Sequence, residues 1–342
     1  MLFKLCYTVN LLDIHSCELL EFNLDGSEAI RLVLRSPTDE ERSKGHQSFN
    51  AVLDVLVEIE PTKKSLPVFT ALIEGRRPPK GQKATSAEEM IIRKGPSYGL
   101  EDYPNPFVSF VDMVMVKLSK AGYVFVGVLR WRYAQEGPPS PISSLGLLCS
   151  NDAGATWHPI PSRYSIVNVT PPHTVFVIQE TDVNEIRDLI DTGEPVYHEL
   201  MRKAKELQHS SPRSSVLIAV SAAEVAVKSI IVNKVPKIKW FVDNIQSPPV
   251  VKILIQYLPE LFQDEKQFYK PKKEDRLIKT IEYAVNIRNE IVHKGEGPPS
   301  TEKVSEIIDA VQELLWICDY YSGYRWAELH INAMKRVTTQ PT

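Results

Sequence analysis

Apolar positions in the first half of the chain recur with a period near two, over residues 32–34, 52–59, 108–118 and 123–131, in runs rich in Val, Ile, Phe and Tyr. Alternation on β-branched and aromatic residues predicts half-buried strands. The opening Met1-Leu2-Phe3-Lys4-Leu5-Cys6-Tyr7 reads as the first of them. Turn-forming clusters separate the runs: Asp25-Gly26, residues 75–81 with Pro78 and Pro79, Tyr103-Pro104-Asn105-Pro106, and Gly137-Pro138-Pro139. Many short strands broken by such turns predict an antiparallel sandwich or barrel-like domain. Its end falls near Thr170-Pro171-Pro172, or one strand later at Ile178.

After Thr181 the period lengthens to that of helices. The pattern predicts helices over 182–209, 214–232, 248–262, 273–294 and 301–337, the last broken near Ser322-Gly323. Stop and start signals agree, with Pro236 after one helix, Gly295 after another, and Ser300 as an N-cap beyond Pro298-Pro299. Helices joined by short connections form a bundle. The expected organisation is therefore an α+β two-domain chain. An antiparallel β-rich domain (1–178) precedes an all-α bundle (179–342). There is no internal repeat of roughly 20–50 residues and no low-complexity segment.

Composition narrows the class. The 342 residues are 43% hydrophobic and 24% charged, a globular profile with enough chain for two cores. No apolar run approaches the roughly 20 residues that span a bilayer, and the first residues lack a charged segment leading into a long apolar core. No membrane partner is expected. Cys6, Cys17, Cys149 and Cys318 show neither pairing nor zinc spacing, so a reducing cytoplasm is the expected setting. The net charge of -3 gives no overall attraction for nucleic acid, and RNA contact would need local patches. Two lysine-rich stretches qualify: Lys228, Lys234, Lys237 and Lys239, then Lys266, Lys270, Lys272, Lys273, Arg276 and Lys279. Each is equally readable as a solvated surface.

The helix over 273–294 carries the most informative chemistry. Its apolar stripe runs through Leu277, Ile281, Ala284 and Ile291, with Ile278, Val285 and Val292 alongside, and steps of three and four place Arg288 on it. A cation there needs a partner or a wet cleft. Asn289 and His293 are four apart and share one side of the helix. Arg288 and His293 are five apart, about 140° around the axis, and flank Asn289. His293 lies in the last turn, where the helix dipole favours a cation. A histidine that exchanges protons with a 2′-hydroxyl or a leaving oxygen, beside an arginine that stabilises phosphate charge, suits RNA phosphodiester cleavage without a metal. The same spacing also fits an arginine paired to a core carboxylate. Glu224 lies beside the stripe Val216, Val220, Ala223 and Val227. It either faces Arg288 or forms a solvent-side pair with Lys228.

The segment Arg288-Asn289-Glu290-Ile291-Val292-His293, with four residues between Arg288 and His293, resembles the ribonuclease motif of HEPN domains. The continuation Lys294-Gly295 and the earlier helix Val216-Leu217-Ile218-Ala219-Val220-Ser221-Ala222-Ala223-Glu224 are similar to that family as well. The resemblance spans residues 182–337. It implies a helical bundle acting as a metal-independent endoribonuclease that leaves 2′,3′-cyclic phosphate and 5′-hydroxyl ends. It also implies a homodimer whose motifs meet across the interface, and a place in toxin–antitoxin, abortive-infection or other antiphage systems. The implied site residues are His293 as general acid/base, Arg288 as phosphate ligand, Asn289 as orienting residue and Glu224 as partner of Arg288, with no cofactor. Gly295 stands where HEPN toxins controlled by nucleotidyltransferase antitoxins carry a modifiable tyrosine, which puts that control in doubt. The first domain is expected to act as a sensor or inhibitor responding to an unidentified ligand or trigger. Alternatives are a non-catalytic binding or dimerisation module and a carbohydrate-recognition protein.

The last alternative rests on Ser150-Asn151-Asp152-Ala153-Gly154-Ala155-Thr156-Trp157, which matches the Asp-box pattern at every specified position. Its physics is that of a hairpin clasp: Asp152 accepts turn N–H groups, Gly154 takes a positive φ, and Trp157 packs beneath. One copy cannot make a propeller, and the reading is structural. His15, His46, His158 and His173 lack metal-ligand spacing. Residues 75–81 lack the Lys-Ser/Thr ending of a phosphate loop.

Overall fold

A computed structural model describes residues 1–9, 20–24, 29–39, 51–93, 99–135, 142–161, 182–245, 247–262, 271–294, 297 and 299–331. Its contacts divide the chain into two units, Met1–Gly193 and Glu194–Thr342. The N-terminal unit holds a six-stranded antiparallel sheet and the C-terminal unit is helical, an α+β two-domain layout. The expected boundary at 178/179 lies outside the described residues. So do Asp25-Gly26, Gly137-Pro138-Pro139, Thr170-Pro171-Pro172, His15, His46, His173, Cys17, Lys266, Lys270, Gly295, Pro298 and the chain beyond Ile331.

The sheet is built on β1 (Leu2–Val9), which pairs on one side with β4 (Ala51–Glu58) and on the other with β7 (Ile142–Ser150). β3 (Ile30–Arg35) and β2 (Leu20–Leu24) extend one edge, and the short β8 (His158–Pro159) ends the other. One face buries Phe3, Leu5, Tyr7, Phe22, Leu32 and Val55 against helices α1 (Leu66–Ile73) and α2 (Asn105–Arg132). Phe69 of α1 sits 5.4 Å from Phe3 and 4.7 Å from Phe107 of α2, and Phe125 lies 5.1 Å from Phe22. Gly122 lets α2 approach β1, because a Cβ there would come within 3.0 Å of the Tyr7 ring. The Tyr7 hydroxyl donates to Ser119 Oγ at 2.9 Å. On the opposite face Asp54 accepts from Arg35 Nε at 2.8 Å. The short strands β5 (Arg76–Arg77) and β6 (Ile91–Ile92) pair separately. After α2, helix α3 (Val183–Thr192) completes the unit, with Glu185 accepting from Arg132 and Asp182 from Tyr133.

The strands expected over 108–118 and 123–131 are instead one helix of 28 residues, and the sandwich or barrel is instead a sheet with helices packed on it. Local alternation of Val and Phe imitates a strand. Phe107, Val111, Val114, Leu118, Ala121, Phe125, Val128 and Leu129, however, follow the three-and-four spacing of a buried helix face. The stretch between Pro106 and Arg132 contains no turn cluster, which makes it too long for a strand. Pro106 at its start marks a helix N-terminus.

The Asp-box closes the hairpin between β7 and β8. Ser150 Oγ donates to Asp152 Oδ1 at 2.6 Å and accepts from Gly154 N at 2.9 Å, while Asp152 Oδ1 accepts from Thr156 N at 2.9 Å. Gly154 has φ +93°, and a Cβ there would stand 3.3 Å from the Trp157 ring. Trp157 receives the Lys4 ammonium 4.3 Å from its ring centroid. The motif thus ties an edge hairpin to the central strand.

In the helical unit, α5 (Pro212–Lys234) is the central element, with Val216, Ala219, Val220, Ala223, Ala226, Val227 and Ile230 buried. Helices α4 (Val196–Leu207), α9 (Arg276–Lys294) and α10 (Thr301–Tyr321) pack on it. By length and composition α5 is apolar enough to cross a bilayer, against the sequence expectation, and 56% of that stretch is buried inside the fold. Between α5 and α9 come α6 (Lys239–Asn244), α7 (Val250–Lys252), a π-turn (Ile253–Tyr257) and α8 (Leu258–Leu261). The π-turn precedes Pro259, whose ring a regular helix would press against the carbonyl of Ile255. The single helix expected over 182–209 is two, α3 and α4, because Gly193 takes φ +75° and Pro195 caps the second. The break expected at Ser322-Gly323 is present, and a 3-10 turn (Arg325–His330) follows.

Inside this unit Asp319 of α10 is fully buried. It accepts from the Tyr197 hydroxyl at 2.5 Å and meets His198 Nε2 at 2.7 Å, both on α4. The His198 ring lies 4.6 Å from that of Trp316.

The Asp152 carboxyl is held low, at about 2, by its bond from Ser150 and then by the Thr156 N–H. A depressed carboxylate stabilises the fold above its unfolded value near 3.9 and loses that contribution as pH falls through about 2. The difference in Tm between wild type and Asp152→Asn should therefore be complete at about pH 5 and narrow toward about pH 2. A difference that stays constant across that range would show that the carboxylate charge plays no part in the clasp.

Candidate active site

Helix α9 buries Leu277, Ile278, Ile281, Ala284 and Ile291, and Arg288 occupies the place between the last two on that stripe. The guanidinium is met by the carboxylate of Glu224, carried on α5. Arg288 Nη2 donates to Glu224 Oε1 at 2.9 Å and to Ser247 Oγ at 3.0 Å, and Nη1 donates to Asn289 Oδ1 at 2.9 Å. The Arg288 and Glu224 side chains are 20% and 12% exposed, so the pair sits at the rim of the core. Lys228, one turn beyond Glu224, donates instead to the carbonyl of Ile245. Ile245 is thereby fastened to α5 through Lys228, and Ser247 to α9 through Arg288.

Electrostatics at this rim are opposed. Burial pushes the Glu224 carboxyl above its ordinary range, while Arg288, Lys228 and the hydrogen bond with Ser247 pull it down. Burial dominates, so ionising Glu224 works against the fold even with the guanidinium beside it.

His293 stands in the last turn of α9 with its ring exposed, and among the described residues it makes no hydrogen bond or ion pair. Five positions separate it from Arg288, about 7.5 Å along the axis and about 140° around it. The fold therefore joins Arg288, Asn289 and Glu224 in one network and leaves His293 beyond Asn289, open to a ligand. Arg288 uses three N–H groups on its own chain, and a guanidinium has five. Among the described residues two are left to meet an anion. An arginine so positioned can bind phosphate, and an exposed imidazole one turn away can move protons.

Sequence reasoning missed Ser247, which follows α6 in the chain and accepts from Arg288 on α9. No local signal in Gln246-Ser247-Pro248-Pro249 announces that. It also missed the Tyr197–His198–Asp319 network, for which a signal existed: Asp319 lies four residues after Leu315 on an apolar face. Among the described residues no cluster of three His, Cys, Asp or Glu side chains is placed to hold a metal. An open cleft of about 490 Å³ is lined by Arg276, Lys279 and Tyr283 of α9 with Lys303 and Glu306 of α10. Tyr283 points about 140° away from Arg288 around α9, so this cleft is separate from the Arg288 network.

Removing the carboxylate should expose the dependence of Arg288 on it. In urea unfolding, Glu224→Ala should lose about 1–3 kcal/mol, because a half-buried guanidinium is left without its counter-charge. Glu224→Gln keeps an acceptor oxygen and avoids burying a charge, and should lose less. Equal stability of Glu224→Ala and wild type would mean that the pair contributes nothing. No family model matches the chain, and neither the curated proteins nor the solved structures contain a match to it.

Proposed function

We propose that the helical unit is a HEPN-type endoribonuclease that cleaves RNA without a metal. The observation that carries this reading is the Arg288 network. An arginine on the inner stripe of α9 is held at the rim of the fold by Glu224, Ser247 and Asn289, with N–H groups left over and His293 exposed one turn beyond. In the proposed reaction the RNA 2′-oxygen attacks phosphorus and gives up its proton to a base. The bond from phosphorus to the 5′-oxygen breaks, and that oxygen receives a proton from an acid. The products are a 2′,3′-cyclic phosphate and a 5′-hydroxyl. His293 serves the proton transfers, Arg288 binds the phosphate oxygens, Asn289 orients the group, and Glu224 fixes Arg288. A single imidazole cannot stand on both sides of the phosphorus at once, which favours a homodimer in which two copies of the motif face one substrate.

We place the protein in a reducing cytoplasm, a setting supported by the buried free thiols of Cys6, Cys149 and Cys318. A role in antiphage defence, as a toxin or abortive-infection factor restrained by the N-terminal unit acting as sensor, completes the proposal. That unit's Asp-box is a structural clasp in its hydrogen bonding, and it lends no support to carbohydrate recognition.

One observation favours a second reading, a non-catalytic binding or dimerisation module. Three of the N–H groups of Arg288 are already engaged within the chain, as in a purely structural ion pair. The two readings separate on His293, which takes no part in that network. Full-length wild type mixed with total RNA and a chelator should cut it to cyclic-phosphate ends, and His293→Ala should lose about 100-fold or more of that rate. RNA left whole by a folded, dimeric wild type would favour the binding module instead.

A further inference from the structure

A second surface of the helical unit has the composition of a site for single-stranded nucleic acid. Between Lys234 and Asn244 the chain reads Lys-Val-Pro-Lys-Ile-Lys-Trp-Phe-Val-Asp-Asn, in which the Lys234 ammonium lies 4.5 Å from the centroid of the Phe262 ring and Lys237 and Lys239 flank the aromatic pair. Helix α6 within it rests on the fold through Val242, which is buried, and is braced internally, with Asn244 Nδ2 donating to the Trp240 carbonyl at 2.7 Å and Lys239 pairing with Asp243 at 3.1 Å. Its two large aromatic side chains nevertheless face outward, Trp240 76% and Phe241 62% exposed. A lone exposed apolar residue needs no explanation, but adjacent Trp and Phe rings on an ordered helix mark an interaction surface. The lysines around them select the partner. Aromatic faces set among cations are how proteins hold unpaired bases and the phosphates that link them.

The location connects this surface to the Arg288 network. The segment leaving α6 delivers the Ile245 carbonyl to Lys228 and the Ser247 hydroxyl to Arg288. Four helical steps and three extended ones separate Trp240 from Ser247, so their Cα atoms are at most about 17 Å apart. A strand with bases on Trp240 and Phe241 would therefore have its backbone within a few nucleotides of Arg288. The cleft over Arg276, Lys279 and Tyr283 offers no comparable surface. There Glu306 lies 2.7 Å from Lys303 and 3.9 Å from Arg276, and Glu274 is a second acid on the rim.

We propose that α6 is the docking platform for single-stranded RNA, with bases stacking on Trp240 and Phe241 and the phosphates following Lys237 and Lys239 toward Arg288. The choice of RNA over other polyanions rests on the ribonuclease reading; the platform itself does not.

Binding is measured on the full chain carrying His293→Ala, so that cleavage cannot interfere, by fluorescence anisotropy of a labelled oligouridylate. Adding Trp240→Ala with Phe241→Ala should weaken binding at least about tenfold, from the loss of stacked bases. Thermal melting should be unchanged, since both rings are exposed. Adding Lys237→Gln with Lys239→Gln instead should flatten the slope of log K against log salt by about 1.4. Affinity unchanged by the aromatic pair, or no binding by the parent at any salt, would overturn the proposal. So would sizing that shows the aromatic pair converting a dimer to a monomer, because the rings would then belong to a contact between copies. Wild type that leaves RNA whole, alongside a parent that binds through Trp240, sinks the ribonuclease reading and leaves the platform standing. Cleavage and binding both untouched by the aromatic pair do the reverse.

Discussion

Charge withdrawn from water must be met by a partner, and Asp319 and Arg288 are two such charges in the helical unit. Asp319 is enclosed completely and is held by Tyr197 and His198, so α4 cannot leave α10 without stranding a carboxylate. Arg288 is withdrawn in part, and Glu224 answers it from α5. Together these pairs fasten α4 to α10 and α9 to α5 by bonds with fixed geometry, whereas apolar contact alone would tolerate sliding along the helices. The two pairs differ in one respect. Around Asp319 there is no access for a ligand, while the rim position of Arg288 leaves its network within reach of solvent. Only the second can take part in recognition, and its geometry is set by the demand that a cation on a buried stripe be paired.

Much of the helical half was legible in its sequence because it depends on local signals. The three-and-four spacing of Leu277, Ile281, Ala284 and Ile291 defines the inner face of α9 and puts Arg288 on it, and the same reasoning puts Glu224 beside the buried stripe of α5. Sequence left open which partner Glu224 takes, because a Lys228 one turn away is an equally good neighbour on paper. The choice is made by Ile245, whose carbonyl accepts from Lys228. That is a contact between residues far apart in sequence with no periodic signature, and nothing local encodes it.

The misreading in the first half has the opposite cause. In α2, a local alternation of β-branched and aromatic residues suggests a strand, and those residues have a real preference for one. The sheet wins by another route. Its inner face of Phe3, Phe22, Leu32 and Val55 needs a long apolar cover, and α2 supplies one by burying Phe107, Val111, Val114, Leu118 and Phe125 together. Tertiary burial outweighs propensities that differ by about 1 kcal/mol or less per residue. Gly122 lets this helix pack close to Tyr7, because a Cβ there would come within 3.0 Å of the ring.

The same logic separates residues that serve the fold from residues that serve a ligand. Phe69, Phe107, Asp319 and Asp152 each have all their contacts explained within the chain, and their side chains complete a core, a network or a clasp. His293, Trp240 and Phe241 are different: each belongs to an ordered helix, each is exposed, and none is needed to hold that helix in place. Arg288 stands between the two groups, with three donors turned inward and the rest available. A helix end that presents an imidazole, a rim that presents a half-used guanidinium and a neighbouring turn that presents two aromatic rings lie on connected parts of the chain. Stability accounts for the paired side of Arg288 but for neither His293 nor the aromatic pair, and an extended, unpaired, anionic chain is a ligand that would use all of them.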